Sequence, residues 1–192
     1  MTVKRILAAL VALAALVTVS GCSAGTAKVA AMVNGQVIAE QQVQSAAQEV
    51  NDILSSSPTY AGFDALAFVI QNEVVGAMLT SALTQLGLTI TDDQREQLWS
   101  SSFDPTSPEY QLWTDPKTRT ALVGYIDYAL VGQMSQAGSI DSNKLVSLVN
   151  AMKVTVNPRY GEWDQENWVL PSRTSGQVSG PLADLSVFTM PS

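Results

Sequence analysis

Apolar residues follow three successive rhythms along the chain. At 29–38 (VAAMVNGQVI) a short apolar run is broken by Asn34-Gly35, the dipeptide favoured at the centre of a type I′ hairpin, where both residues need positive φ. From Glu40 to Met152 the apolar spacing is helical. At Val154-Thr155-Val156 alternation returns, and Asn157-Pro158 ends it, because proline has no N–H to give to a ladder. A lone hairpin is marginal in water and needs a further strand or a helix. The two ends of the helical region are therefore expected to meet in one small sheet, with 29–33 paired to 154–156.

The helical region divides at its own punctuation. Val43, Ala46 or Ala47, Val50 and Leu54 form one apolar stripe, stopped by Ser55-Ser56-Ser57-Pro58. A second helix is predicted over 64–86, with Leu66, Ile70, Val74, Met78 and Leu83 or Leu86 inward. Phe68, Val69, Val75 and Leu79 add apolar surface outside that stripe, which predicts a central helix packed on more than one side. Gly87 suits the left-handed position after a helix, and Leu88 the hydrophobic contact that goes with it. Thr91-Asp92-Asp93-Gln94 has the form of a capping box opening a third helix to about residue 102. Adjacent helical carboxylates point about 100° apart, so Asp92 and Asp93 fit a helix start better than a metal site. The stretch 103–113, with two prolines and three aromatics, is predicted to be a long connection. Asp115-Pro116 restarts the chain as N-cap and first helical residue, with Leu122, Tyr125 or Ile126, Ala129, Leu130 and Met134 inward to about 136. Asp141 caps a last helix through Leu145, Val146, Leu148, Val149 and Met152. The fold class is thus mainly α, about five helices with a small β-sheet joining the N-terminal hairpin to a C-terminal strand. Residues 164–192, rich in Ser, Gly and Pro, are expected to be an irregular or disordered tail with a short amphipathic piece at 182–188. Its removal is expected to cost little stability.

Composition narrows the chemistry. With 192 residues, 46% of them hydrophobic, the chain supports one domain with a real core. Only 14% are charged and the net charge is −7, which argues against a nucleic-acid partner, since phosphate binding needs clustered Lys and Arg. There is no histidine. That removes Ser-His-Asp and Cys-His catalysis, His-ligated zinc and a histidine pH switch. Gly-rich phosphate loops, CxxC pairs and paired-carboxylate arrangements are also missing. No catalytic residue, metal site or cofactor is expected. Asp64, Glu73, Asp127, Glu162 and Asp164 are expected to be solvated surface.

The N-terminus has the pattern of an address. Lys4-Arg5 precede an uncharged apolar run at 6–19, whose length fits the ~7–15 residues of a secretory h-region and falls short of the ~20 that span a bilayer. Ser20-Gly21-Cys22 follows directly and looks like a bacterial lipoprotein signal, in which the cysteine becomes the lipidated N-terminus. Val19 departs from the leucine most common in such signals. An ordinary secretory signal or an uncleaved anchor is the alternative. The lipoprotein signal is the better match because the single cysteine of the chain stands at the one position it requires. Residues 1–21 are then a signal peptide, 22–28 a tether, and lipid on Cys22, a palmitate among its chains, would hold the protein at the extracytoplasmic face of a bacterial membrane.

Three stretches carry a family resemblance: VAAMVNGQVI at 29–38, LGLTITDDQ at 86–94 and VTVNPRYGEW at 154–163. The first and last resemble the opening and closing segments of SurA- and PrsA-type extracytoplasmic chaperones. The resemblance implies that 29–163 is an orthogonal helical chaperone module closed by its C-terminal segment. A parvulin isomerase domain, which such proteins carry, has no room here, and the histidines of its active site are absent. The resemblance therefore implies an ATP-independent chaperone-like lipoprotein in the cell envelope, without isomerase activity, whose partners are unfolded or exported polypeptides. An envelope adaptor that binds one folded protein is the alternative. Peptide-binding candidates are Phe103, Tyr110, Trp113 and Tyr128; each has a core reading as its rival, the two near even for the aromatics of 103–113, while Met78 and Met134 fit the core better. Asn34, Gly35, Asn157, Pro158, Arg159 and Tyr160 are the candidate closure residues. Oligomeric state has no sequence signal.

Overall fold

The computed structural model describes residues 28–171. The expected signal peptide, Cys22, nearly all of the tether and residues 172–192 lie outside the described residues. Strands β1 (Val29–Val33) and β2 (Gln36–Ala39) open the fold. Helices α1 (Glu40–Leu54), α2 (Ala65–Gln85), α3 (Asp92–Ser102), α4 (Pro108–Thr114), α5 (Pro116–Gln136) and α6 (Ser142–Asn150) follow, with one 3₁₀ turn at Pro58–Tyr60, and β3 (Val154–Val156) ends the series. The protein is mainly helical with a small three-stranded antiparallel sheet, as the apolar pattern predicts.

Side-chain caps set most helix starts. Asp64 accepts from the Ala67 N–H at 3.0 Å, Asp115 from Lys117 at 2.8 Å, and Asp141 from Lys144 at 3.1 Å. Thr91 and Gln94 form the reciprocal capping box. The connection expected at 103–113 is corrected in part. Ser107 accepts from the Tyr110 N–H at 3.2 Å and Pro108 takes the first helical position, so Pro108–Thr114 is a helix. The same cap-then-proline grammar operates here as at Asp115-Pro116, and among the described residues the helices number six instead of about five.

Helices α2 and α5 form the centre and make the most extensive helix pair. Gly76 and Gly124 lie where they cross, and a Cβ on Gly124 would stand 1.9 Å from the Asn72 carbonyl oxygen. Helix α2 has the length and hydropathy of a membrane-spanning helix. Its buried residues occupy several faces, including Val69, Ile70, Val74, Met78, Leu79 and Leu83, which is what a central helix of a packed domain requires. Met134 is only partly buried against the same core.

The sheet has the order β2-β1-β3. Ala31, Met32 and Val33 pair with Val156, Thr155 and Val154, the pairing expected from the sequence. Beyond residue 163 the chain continues without regular helix or strand to residue 171 but stays packed on the domain. Asp164 and Val169 form a bridge, Asp164 Oδ1 accepts from the N–H groups of Glu166 and Asn167, and Trp168 and Leu170 are buried. Trp168 donates to Asn150 Oδ1 at 3.0 Å, and the Leu170 N–H donates to Gln71 Oε1 at 3.1 Å. The two apolar side chains at 168 and 170 have no periodic neighbours, so they give no pattern signal, yet both are buried, Trp168 beside Asn150 at the end of α6 and Tyr128 of α5, and Leu170 where its N–H meets Gln71 of α2.

Candidate functional site

The closure is built from the turn outward. Asn34 and Gly35 have φ of 49° and 86°, the two positive values of a type I′ turn. That conformation frees the Asn34 amide side chain to act on the third strand. Lys153 N–H donates to Asn34 Oδ1 at 2.8 Å, and Asn34 N–H donates to the Lys153 carbonyl at 2.9 Å. At the other end of the pairing, Asn157 N–H donates to the Ala30 carbonyl at 2.8 Å and Asn157 Nδ2 to the Val29 carbonyl at 3.1 Å. Two asparagines thus brace the same strand pair from opposite ends.

Arg159 extends the closure to α1. Its guanidinium pairs with Glu40 in the first turn of that helix, donates to the Tyr160 hydroxyl, and lies 4.6 Å from the Tyr160 ring centroid, a cation–π stack. Tyr160 is buried. An acid at a helix N-terminus is also favoured by the helix dipole, so Glu40 satisfies the helix and the closing segment together.

Among the described residues no strand pairs with the outer edge of β3, which borders a cleft. Lys153 and Asn157 face β1 through their main-chain bonds. By the alternation of an antiparallel ladder, Val154 and Val156 direct their N–H and C=O groups away from it. They border a shallow cleft of about 610 Å3 whose further walls include Pro158, Gly161 and Trp163. Trp163 is half-buried and its indole donates to Gln165 Oε1 at 3.1 Å.

The four aromatic candidates do not form one surface. Trp113 is buried, with its indole N–H on Glu96 and the Arg119 guanidinium 4.2 Å from its ring centroid. Of its two readings this burial favours core over peptide contact, since α4 turns Leu112 and Trp113 inward together. Phe103 packs on Trp99 with ring centroids 4.4 Å apart, and Trp99 in turn meets Trp113 and Tyr125 at 6.1 Å. Phe103 and Tyr110 are half-buried against the core. Tyr128 meets Trp168 edge to face at 6.3 Å, and burial pushes its hydroxyl pKa up.

Two of the acids expected in solvent are also corrected. Asp127 is 1% exposed and receives Arg95 Nε at 2.7 Å and Nη2 at 3.0 Å. Burial raises its carboxyl pKa and the Arg95 fork partly offsets that rise. Glu73 is half-buried, and loss of hydration raises its pKa as well. Nothing in the sequence flags Asp127, because its helix is apolar on several faces and carries no clean stripe. Among the described residues no three metal-ligating side chains cluster. Searches against family models, curated proteins and solved structures return no match to this chain.

Proposed function

We propose that this chain is an extracytoplasmic chaperone-like lipoprotein, anchored through lipid on Cys22, that binds unfolded or exported polypeptide without ATP and without isomerase activity. The observation that supports it best is the open β3 edge beside its apolar cleft. An extended client segment would add to that edge as a further strand. The outward main-chain groups of Val154 and Val156 would supply hydrogen bonds that ignore client sequence, while Trp163 and Pro158 would receive apolar side chains of the client. Binding of this kind needs no nucleotide, since release follows from weak, few contacts. The SurA- and PrsA-like ends of the sequence and the lipoprotein-type signal support the same assignment.

The deciding experiment is aggregation of chemically denatured clients, followed by light scattering, in the presence of the chain from residue 23 onward. Suppression at near-stoichiometric amounts across several unrelated clients is expected. A Val154→Pro variant, which removes an outward N–H while the main-chain bonds of Thr155 to β1 stay in place, tests the edge itself and should weaken suppression. Absence of suppression with every client would count against the assignment, and capture of one folded protein at fixed stoichiometry would point to an envelope adaptor instead.

A further inference from the structure

The opposite edge of the sheet holds a second cleft. Strand β2 is that edge, and between it and helices α1, α2 and α5 lies a cleft of about 250 Å3. Gly76 and Gly124 line it where α2 and α5 cross, and Glu73 stands in its wall. The Glu73 carboxylate accepts from Gln42 Nε2 at 3.1 Å. No lysine or arginine lines the cleft, and among the described residues none forms an ion pair with Glu73. Elsewhere in the fold Glu40, Glu49, Glu96 and Asp127 each meet an arginine or lysine. At the rim, Val37 is 54% exposed and is the large hydrophobic side chain left in water among the described residues.

A half-buried carboxylate without a cation is an unbalanced arrangement. An apolar rim above it makes the cleft complementary to an ammonium or guanidinium group on an aliphatic stem. The ladder geometry then identifies what carries that group. Val33 and Gln36 flank the two-residue turn and form its hydrogen-bonded pair, so Met32 and Val37 form the next, non-hydrogen-bonded pair. Val37 therefore turns its main-chain N–H and C=O outward, beside the cleft. The net charge of −7 favours cationic partners in general.

We propose that this cleft receives a lysine or arginine side chain of an extended polypeptide segment laid along β2, with Glu73 as the counter-ion and Val37 packed against the methylene stem. The site shares a class of occupant with the proposed function but sits on another edge and stands or falls separately.

The test uses the full chain in nonionic detergent and two capped heptapeptides of alternating Thr and Val, one with a central lysine and one with norleucine there. Calorimetric titration at pH 7 and low salt should show the lysine peptide binding about tenfold or more tighter than the norleucine peptide. Glu73→Gln, which keeps an acceptor for Gln42, should remove that preference and leave norleucine-peptide binding unchanged. Thr120→Lys, on the exposed wall from α5, should remove it by supplying an internal cation, and it covers the case in which the Gln variant fails to fold. Equal binding of the two peptides, or a lysine preference that survives both substitutions, overturns the proposal. So does binding of 1,5-diaminopentane as tight as the lysine peptide, since the site would then take free amines. Loss of charge preference with aggregation suppression intact removes this site alone. Charge-selective binding without suppression removes the chaperone assignment alone.

Discussion

Replacing Gly124 by alanine should be among the most damaging single-methyl additions to this protein. The new Cβ would stand 1.9 Å from the Asn72 carbonyl oxygen, 2.7 Å from the Gly76 nitrogen and 2.8 Å from the Asn72 carbonyl carbon. All three are backbone atoms of α2, so no side-chain rotation relieves the overlap. Reaching ordinary van der Waals contact would require α2 and α5 to separate locally by about 1.5 Å. Gaps of ~0.5–1 Å already forfeit a quarter to a half of each dispersion contact, and this is the central helix pair. Overpacking typically costs ~1–3 kcal/mol, and a backbone clash belongs at or above the top of that range. The gain in helix propensity returns ~1 kcal/mol. A net loss of about 2–4 kcal/mol is expected, against a total of ~5–15 kcal/mol for a domain. Two other helix glycines calibrate the result. At Gly76 a Cβ meets the Gly124 backbone at 3.2 Å, and at Gly132 it meets nothing within 4 Å. Urea denaturation followed by tryptophan fluorescence should rank the alanine variants with 124 least stable, 76 intermediate, and 132 equal to or above the parent. A 124 variant as stable as the parent, or a 132 variant less stable than it, would refute the account of how α2 and α5 pack.

Three further outcomes follow from the same contacts. Arg95→Met should cost toward ~3 kcal/mol, because it strands the Asp127 carboxylate in the interior, and the double variant Arg95→Met/Asp127→Leu should recover most of that loss in the same urea titration. Ending the chain at residue 163 should lower the melting temperature clearly, since it removes Trp168 and Leu170, and a buried Leu alone is worth ~1.5–3 kcal/mol; a truncated chain that melts with the parent would show that the segment merely rests on the domain. Glu73 has its folded pKa raised above the ordinary value of 4.5, so its stabilising contribution is present at acid pH and is lost as pH rises through the folded pKa. Glu73→Gln should therefore equal or exceed the parent in melting temperature at pH 7, with the gap closing as pH falls below the ordinary glutamate range; a variant less stable at pH 7 than at pH 4, relative to the parent, would contradict the direction.

Much of the fold was legible because its signals are local. The Asn34-Gly35 turn, the Thr91 capping box and the Asp115-Pro116 start each specify a conformation through residues within a few positions of one another. Apolar alternation at 154–156 carried the long-range pairing because few other segments offered a strand to close the hairpin. Helix α4 escaped because seven residues are too few to display a period, although Ser107-Pro108 held its start in view. The site was less legible for a different reason. Whether Trp113 faces water, or Asp127 meets Arg95 thirty-two positions away, depends on how helices rotate about their axes, and an apolar pattern spread over several faces leaves that rotation open. The same holds for Glu73: nothing in its neighbours along the chain shows that no lysine or arginine among the described residues pairs with it.

The asparagine at the hairpin tip also sets an order of events in time. Asn34 finds its partner Lys153 across 119 positions of sequence. Closing a loop of that length costs about 4 kcal/mol of chain entropy, which the flanking helices offset only once α2 and α5 have come together. At synthesis rates of ~5–20 residues per second, the hairpin exists for about 6–24 s before the strand that completes it has been made. Until then the inner edge of β1 is exposed, so for that interval the protein is itself an unpaired strand in search of a neighbour.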